Sequence, residues 1–188
     1  MRVIAGLAKG RTLVAPRGTG TRPATDRIRE TLFAILEPAL PEARVLDLFA
    51  GAGTMGIEAL SRGAAYATFV ERSAVALDAL RKNIASTGFA DRTDVVAANV
   101  IGYLDRGAPA RRYDFVFLDP PFADVAILDA TLAHPSLAAA LAPDATVIAR
   151  VHRKHPPSPP PVAHVIRVRQ IGEEDLVFLR YSVAGGGG

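Results

Sequence analysis

The sequence predicts an α/β protein in which a mostly parallel, seven-stranded sheet is covered by helices and ends in an antiparallel hairpin. From residue 44 the chain repeats a strand, turn and helix pattern, which is typical of a parallel sheet with crossover helices. The run 115–118 is apolar throughout, which indicates a strand buried on both faces. At 188 residues, 49% of them hydrophobic, the chain is long enough for one well-packed core.

Residues 1–40 are predicted to form an N-terminal arm. Two short β-prone pieces separated by glycines come first and favour a hairpin. Thr25-Asp26 then offers an N-cap for a helix with one apolar stripe. Pro38 and Pro41 end this helix and separate the arm from the body of the protein.

The body, residues 41–184, carries the remaining elements. Strands are expected at 44–49, 66–71, 93–97, 113–118 and 145–151, and helices near 54–62, 73–87, 99–106 and 124–141. A proline-rich connector at 152–161 leads to two β-rich runs, 162–170 and 176–183, which read as the closing hairpin. Residues 185–188 are all glycine and predict a flexible tail.

Composition excludes several classes of function. The chain has no cysteine, so disulfides and thiolate metal sites are excluded, and its four histidines lack metal-binding spacing. No apolar run is long enough to cross a bilayer, and the N-terminus does not resemble a signal segment. We therefore expect a cytoplasmic, monomeric protein without a metal or a membrane association.

Positive charge is concentrated in the arm. Residues 1–36 hold seven basic and two acidic side chains, whereas the net charge of the whole chain is only +3. Such a block attracts the phosphates of a nucleic acid, although an ordinary solvated face is an alternative interpretation. The predicted RNA contacts are Arg11, Arg17, Arg22, Arg27 and Arg29.

A glycine-rich turn after the first body strand predicts a cofactor site. Gly51, Gly53 and Gly56 form a Gly-x-Gly-x-x-Gly motif, and Glu71 ends the next strand, which together match a dinucleotide fingerprint. However, the carboxylate of Asp47 at the mouth of the turn would repel a pyrophosphate and attract an ammonium group. S-adenosylmethionine has that amine, a ribose and no phosphate.

In this interpretation Asp47 orients the amino-acid end of S-adenosylmethionine and Glu71 accepts hydrogen bonds from the ribose hydroxyls. Asn99, after the third strand, either binds the adenine or caps the following helix. The complete predicted cofactor set is Asp47, Phe49, Gly51, Gly53, Glu71, Arg72, Asn99 and Thr25.

The tetrapeptide Asp119-Pro120-Pro121-Phe122, at the end of the fourth body strand, predicts the catalytic residues. Proline has no N–H group, so a carboxylate and carbonyl acceptors are placed beside a flat ring. These groups suit the exocyclic amino group of a planar base: Asp119 and the Pro120 carbonyl accept its N–H bonds, and Phe122 stacks on the ring. A Pro-Pro turn that merely ends a strand is the alternative.

Together, the motifs D-x-F-x-G-x-G-x-x-G and DPPF resemble those of class I S-adenosylmethionine-dependent methyltransferases that modify amino nitrogens. The arm segment Arg22 to Phe33, RPATDRIRETLF, resembles the signature of the RsmD family, bacterial guanine-N2 methyltransferases of 16S ribosomal RNA. The resemblance implies a Rossmann-like fold and methylation of the 30S subunit. It also implies that the segment with Thr25 and Arg29 covers the cofactor and the target base. Arg150, His152 and Arg153 depart from the acidic residues expected after strand five.

Three alternatives remain open at this point. An adenine-N6 methyltransferase acting on RNA or DNA would use the same acceptors. An NAD-linked oxidoreductase would explain the glycines but leaves Asp47 and the Pro-Pro pair without a role. A non-catalytic RNA-binding protein would not need Asp47, Glu71 and Asp119 together.

Overall fold

The computed structural model describes residues 1–16, 26–121 and 124–182. The helices in these ranges are α1 Asp26–Leu36, α2 Thr54–Ser61, α3 Ala74–Thr87, α4 Val100–Leu104, α5 Val125–Ala133 and α6 Pro135–Ala140. The strands are β1 Arg44–Asp47, β2 Tyr66–Glu71, β3 Thr93–Ala97, β4 Tyr113–Leu118, β5 Leu141–His152, β6 Ala163–Ile171 and β7 Glu174–Tyr181. They form a mixed sheet of order β3-β2-β1-β4-β5-β7-β6, which confirms the predicted α/β fold.

The chain divides into two compact units, Met1–Val100 and Ile101–Gly188. The predicted boundary between an arm at 1–40 and a body at 41–184 stays a prediction. The predicted glycine tail, 185–188, lies outside the described residues.

In the first unit β2 pairs in parallel with β1 and with β3. Fully buried side chains such as Leu46, Phe69 and Leu80 fill its core. The helix α3 begins at its N-cap Ser73 and ends at Gly88, whose left-handed φ of 78° suits glycine. The bounds of α2, α3, β2 and β3 agree with the predicted ones to within one residue. β1 ends at Asp47, before the predicted end at residue 49, because a turn begins there.

The first sixteen residues are docked on the helices of the same unit. Their two β-prone pieces meet in a short antiparallel pairing, with a bridge from Arg2 to Thr12 and backbone hydrogen bonds from Val3 N–H to the Arg11 carbonyl and from Leu13 N–H to the Met1 carbonyl. The amides of Ile4 and Ala5 donate to the carboxylate of Glu58 at 2.8 and 3.0 Å. Side chains of α2 and α3 therefore supply the hydrogen bonds that an isolated hairpin would leave to water.

A second group of contacts holds the end of this segment. The side chain of Asn83, which is fully buried, accepts from Val14 N–H at 2.7 Å and donates to the Val14 carbonyl at 3.0 Å. Its amide also donates to the Ala52 carbonyl at 2.9 Å, within the glycine-rich turn. One buried amide thus ties the N-terminal segment to that turn.

In the second unit β5 pairs in parallel with β4 and antiparallel with β7, and β6 pairs antiparallel with β7. The last two strands form the predicted closing hairpin. The strand β5 is longer than predicted: it begins at Leu141, and its pairing with β4 is irregular between Tyr113 and Phe115. Asp144, inside this irregular stretch, has a positive φ of 62°.

The single helix predicted at 124–141 is wrong, because the structure has two helices there. α5 ends at Ala133, and α6 begins at Pro135. His134 between them is extended, with φ −71° and ψ 127°. Proline disfavours the helical conformation of the residue before it, which explains the break.

No helix in the described ranges is both long enough and apolar enough to cross a membrane. The same ranges contain no group of three or more His, Asp or Glu side chains placed to hold a metal ion.

Candidate active site

The glycine-rich turn between β1 and α2 is held by two carboxylates. Asp47 is buried, and its Oδ2 accepts a hydrogen bond from Gly56 N–H at 3.2 Å. Glu71 Oε2 accepts from Gly51 N–H at 2.8 Å, and its Oε1 accepts from the amides of Arg72 and Ser73 at 2.8 and 2.7 Å. The two carboxylates are therefore fixed in place by backbone donors within one unit.

The three glycines of the turn are needed for different reasons. An added Cβ at Gly56 would lie 2.3 Å from the Phe69 ring, and one at Gly53 would lie 2.3 Å from Leu80 Cδ1. Those two glycines are required by packing inside the protein. Gly51 has a left-handed φ of 54°, but no atom lies within 4 Å of its Cβ position. Its open face and the neighbouring carboxylate of Glu71 suit an uncharged ribose, and they do not suit a pyrophosphate.

The other predicted cofactor residues are more exposed. Phe49 is half-buried, and Arg72 and Asn99 are exposed. Asn99 follows Ala98, whose amide donates to the Glu71 carbonyl at 3.0 Å, so Asn99 lies beside the end of β2. Thr25 lies outside the described residues.

Asp119 directly follows β4 and lies in the second unit. Both of its carboxylate oxygens accept hydrogen bonds from Arg150 Nη1, at 2.9 and 3.0 Å. Pro120 is buried and Pro121 exposed, and the Pro121 carbonyl accepts from Asp124 N–H at 2.9 Å. The carbonyl of Pro120 thus remains the candidate acceptor next to Asp119. Phe122 lies outside the described residues.

Arg150 and Glu174 are site residues that the predicted set lacks. Arg150 lies on β5 and is 3% exposed, and its Nε and Nη2 donate to the two oxygens of Glu174 at 2.6 and 3.2 Å. Burial raises the pKa of the Asp119 carboxyl above its ordinary value, while the charge and hydrogen bonds of Arg150 act in the opposite direction. The only sequence signal was the unexpected basic residue at position 150.

The predicted RNA contacts separate into two groups. Arg11 and Arg27 are exposed, and Arg17 and Arg22 lie outside the described residues. Arg29 is completely buried: its Nη2 donates to Asp26 at 2.6 Å and to the Arg2 carbonyl at 2.9 Å.

The second nitrogen of this buried guanidinium, Arg29 Nη1, lies 3.5 Å from the Glu58 carboxylate. A guanidinium enclosed in this way does not reach a phosphate. The structure therefore gives Arg29 the role of holding the N-terminal segment against α2, and we remove it from the predicted RNA contacts.

The fold and this turn place the chain among α/β proteins with the Rossmann-like sheet of methyltransferases. A family model described as Conserved hypothetical protein 95 matches residues 1–180. The chain belongs to this family, which is the RsmD family that its motifs resemble.

Named relatives and a solved structure agree with this assignment. "Ribosomal RNA small subunit methyltransferase D" of Escherichia coli K12 is 45% identical over 123 residues, 65% of this chain and 60% of that protein. The protein of the same name from Haemophilus influenzae is 39% identical over 123 residues, 65% of this chain and 64% of that protein. The matched region thus spans about three fifths of these relatives. The solved structure of E. coli yhhF has a TM-score of 0.83 and 32% identity, and the match covers 97% of this chain and 98% of that one.

Proposed function

We propose that this protein transfers a methyl group from S-adenosylmethionine to the exocyclic N2 of a guanine in 16S ribosomal RNA, on the assembled 30S particle. The observation that carries the proposal is the carboxylate of Asp119, held at the end of β4 beside the Pro120 carbonyl. The names of the relatives support ribosomal RNA of the small subunit as the substrate class. The proposal includes a monomeric enzyme in the cytoplasm, where ribosomal subunits are assembled.

The reaction requires an amino nitrogen made more nucleophilic than it is in free guanine. The lone pair of that nitrogen is delocalised into the ring, and acceptors for its two N–H bonds return electron density to it. Asp119 and the Pro120 carbonyl would be two such acceptors, and Arg150 holds the Asp119 carboxylate before the base arrives, so little reorganisation of that group is needed during the reaction. S-adenosylmethionine, when bound, supplies an electrophilic methyl group on a sulfonium sulfur.

In this proposal the cofactor binds in the first unit, and the open face at Gly51 supports that position. Asp47 would receive the methionyl ammonium, and Glu71 the ribose hydroxyls, with each carboxylate already oriented by backbone amides. Exposed basic residues of the arm, Arg11 and Arg27, would contact the RNA backbone and position the target without reading its sequence.

An experiment with two alanine variants tests these separate roles. Asp119→Ala should lower methyl transfer about 100-fold or more, the scale seen when a fixed polar group at a reacting centre is removed, and should leave cofactor binding nearly unchanged. Asp47→Ala should weaken S-adenosylhomocysteine about tenfold or more, because a hydrogen bond to a charged group contributes about 1.5–3 kcal/mol. Calorimetric titration measures the affinity, and a filter assay with labelled cofactor measures transfer.

Asp78→Ala is the matched control, since this carboxylate is exposed and pairs with Lys82 at 2.7 Å on the surface of α3. It should leave both measurements unchanged. An equal loss of cofactor affinity in the Asp119 and Asp47 variants would contradict the assignment of the two sites.

A further inference from the structure

A buried arginine in β5 lies between two carboxylates in the second unit. Strand pairing sets this arrangement: Ala149 is opposite Leu118 of β4, and Arg150 is opposite Leu176 of β7. The side chain of Arg150 therefore reaches Asp119, which follows β4, and Glu174, which begins β7. The exposed fractions of the three side chains are 4%, 20% and 18% for Arg150, Asp119 and Glu174.

Charged side chains are energetically unfavourable at such a buried position. Removing charged groups from water is strongly unfavourable, and an apolar side chain of similar volume often stabilises a fold as well or better. The geometry of the cluster is specific. One nitrogen of Arg150 contacts both oxygens of Asp119, while two others contact the two oxygens of Glu174. The guanidinium is thus oriented by Glu174 and presented to Asp119.

We propose that Arg150 is a positioning residue for the methyl-transfer reaction, which holds the Asp119 carboxylate in one orientation and favours its ionised form. Glu174 fixes Arg150 in turn. In this arrangement Asp119 meets the amino group of the base as a hydrogen-bond acceptor. The inference rests on the proposed function only in its choice of Asp119 as the acceptor.

Arg150 and Glu174 influence Asp119 in opposite directions. Burial raises the pKa of the Asp119 carboxyl, Arg150 lowers it, and the negative charge of Glu174 raises it. Among the described residues, these are the charged groups that face Asp119 from β5 and β7. The other charged or titratable groups on the two strands lie further along: His152 is opposite Glu174, Arg180 lies 3.9 Å from Asp144, and Asp175 and Tyr181 are on β7. Arg153, which follows β5, lies 3.5 Å from Asp175.

The opposed effects define an experiment. Activity requires the ionised carboxylate, so methyl transfer falls as pH falls through the pKa of Asp119. Arg150→Met should raise that pKa and move the acidic limb of the pH profile upward by about one unit or more, with a lower kcat. Glu174→Gln should move the limb downward. Arg150→Lys should raise the pKa of Asp119 less than Arg150→Met does. Lysine keeps the positive charge but loses the fixed contacts of the planar guanidinium.

Arg153→Met is the matched control. Its side chain is 47% exposed and lies on the segment that leaves β5, so its removal should leave the acidic limb in place. Urea unfolding of each variant separates a loss of folded protein from a change in the profile. A purely structural role for Arg150 would lower activity in proportion to stability, with the limb unmoved, and would overturn the inference.

A second readout does not depend on activity. Carbon-13 NMR titration of the Asp119 carboxyl, assigned with Asp119→Asn, measures its pKa in the wild type, Arg150→Lys and Glu174→Gln. A downward shift in Glu174→Gln together with an upward shift in Arg150→Lys supports the inference, even if the RNA substrate has been misassigned. Identical pKa values in all three proteins would overturn it. Absence of methyl transfer with the shifts intact would count against the proposed function alone.

Discussion

A pair of glycine-to-alanine substitutions in the N-terminal segment tests how that segment is held. Gly6 and Gly10 have nearly equal left-handed φ angles of 80° and 83°. Alanine should therefore cost about 1 kcal/mol of backbone strain at either position, and this contribution cancels in the comparison. Their surroundings differ. A Cβ at Gly6 would lie 1.8 Å from the Ser61 carbonyl oxygen and 2.3 Å from its carbon, whereas nothing lies within 4 Å at Gly10.

The size of the difference follows from the hydrogen bonds at Ser61. Ordinary contact begins at 3.4 Å, so the segment at Gly6 must retreat by about 1.6 Å, the difference between the two distances. Three bonds to Ser61 lie beside the clash: from Leu7 N–H to its carbonyl at 2.7 Å, from Ala8 N–H to its hydroxyl at 2.9 Å, and from that hydroxyl to the Ala5 carbonyl at 2.5 Å. At about 1 kcal/mol each, their loss should make Gly6→Ala roughly 2–3 kcal/mol less stable than Gly10→Ala.

Urea unfolding measures this difference, and hydrogen exchange locates it. In Gly6→Ala the amides of Leu7 and Ala8 should lose more protection, relative to Gly10→Ala, than the amides of β2 do. Equal stability of the two variants, with equal exchange at Leu7, would refute the idea that close backbone contact with α2 holds the segment.

Two further predictions concern buried hydrogen bonds. Asn83→Leu removes the bonds to Val14 and Ala52 and should lower the free energy of unfolding by about 2–4 kcal/mol. A protease should also cleave this variant faster at sites before residue 17. Lys82→Ala, on the exposed side of α3, is the control, and equal cleavage of the two variants would contradict the prediction. Tyr181→Phe removes the 2.7 Å bond from the buried hydroxyl to the Leu132 carbonyl and should cost about 1–3 kcal/mol in urea unfolding, so an unchanged midpoint would argue against a contribution from this bond.

The sequence predicted the sheet well because its strands carry strong local signals. β2, β3 and β4 have the predicted boundaries, since each is a short run rich in β-branched or aromatic side chains. The helix break at His134 was missed although Pro135 signals it, because the apolar pattern continues across the proline. The early start of β5 depends on an irregular pairing with β4, which no local pattern encodes.

The motifs of the candidate site could be predicted from the sequence, but the side chains that contact Asp119 could not. Glu71 contacts Gly51 of the turn because the ends of adjacent parallel strands meet at one edge, which a sequence reader can anticipate. The pairing of Arg150 with Asp119 and Glu174 depends on the register of three strands. Register is a property of the assembled sheet, so it could not be inferred from spacing along the chain.

Arg29 shows that the role of a charged side chain can be misjudged from the sequence. Its charge made it a reasonable RNA contact, and its i, i+3 spacing from Asp26 favoured a helix-surface pair. Only the structure shows that the guanidinium is enclosed between α1, the Arg2 carbonyl and Glu58. Charge alone does not distinguish an arginine that binds a polyanion from one that holds the fold together.

The most direct test of the proposed function is transfer of labelled methyl groups to small ribosomal subunits that lack the modification. The purified protein is incubated with S-adenosylmethionine and these subunits, and the RNA is digested to nucleosides and separated. The account predicts that the label appears in N2-methylguanosine and that Asp119→Ala lowers it about 100-fold or more. Label in N6-methyladenosine, or no label in a protein that binds the cofactor, would contradict the proposed function.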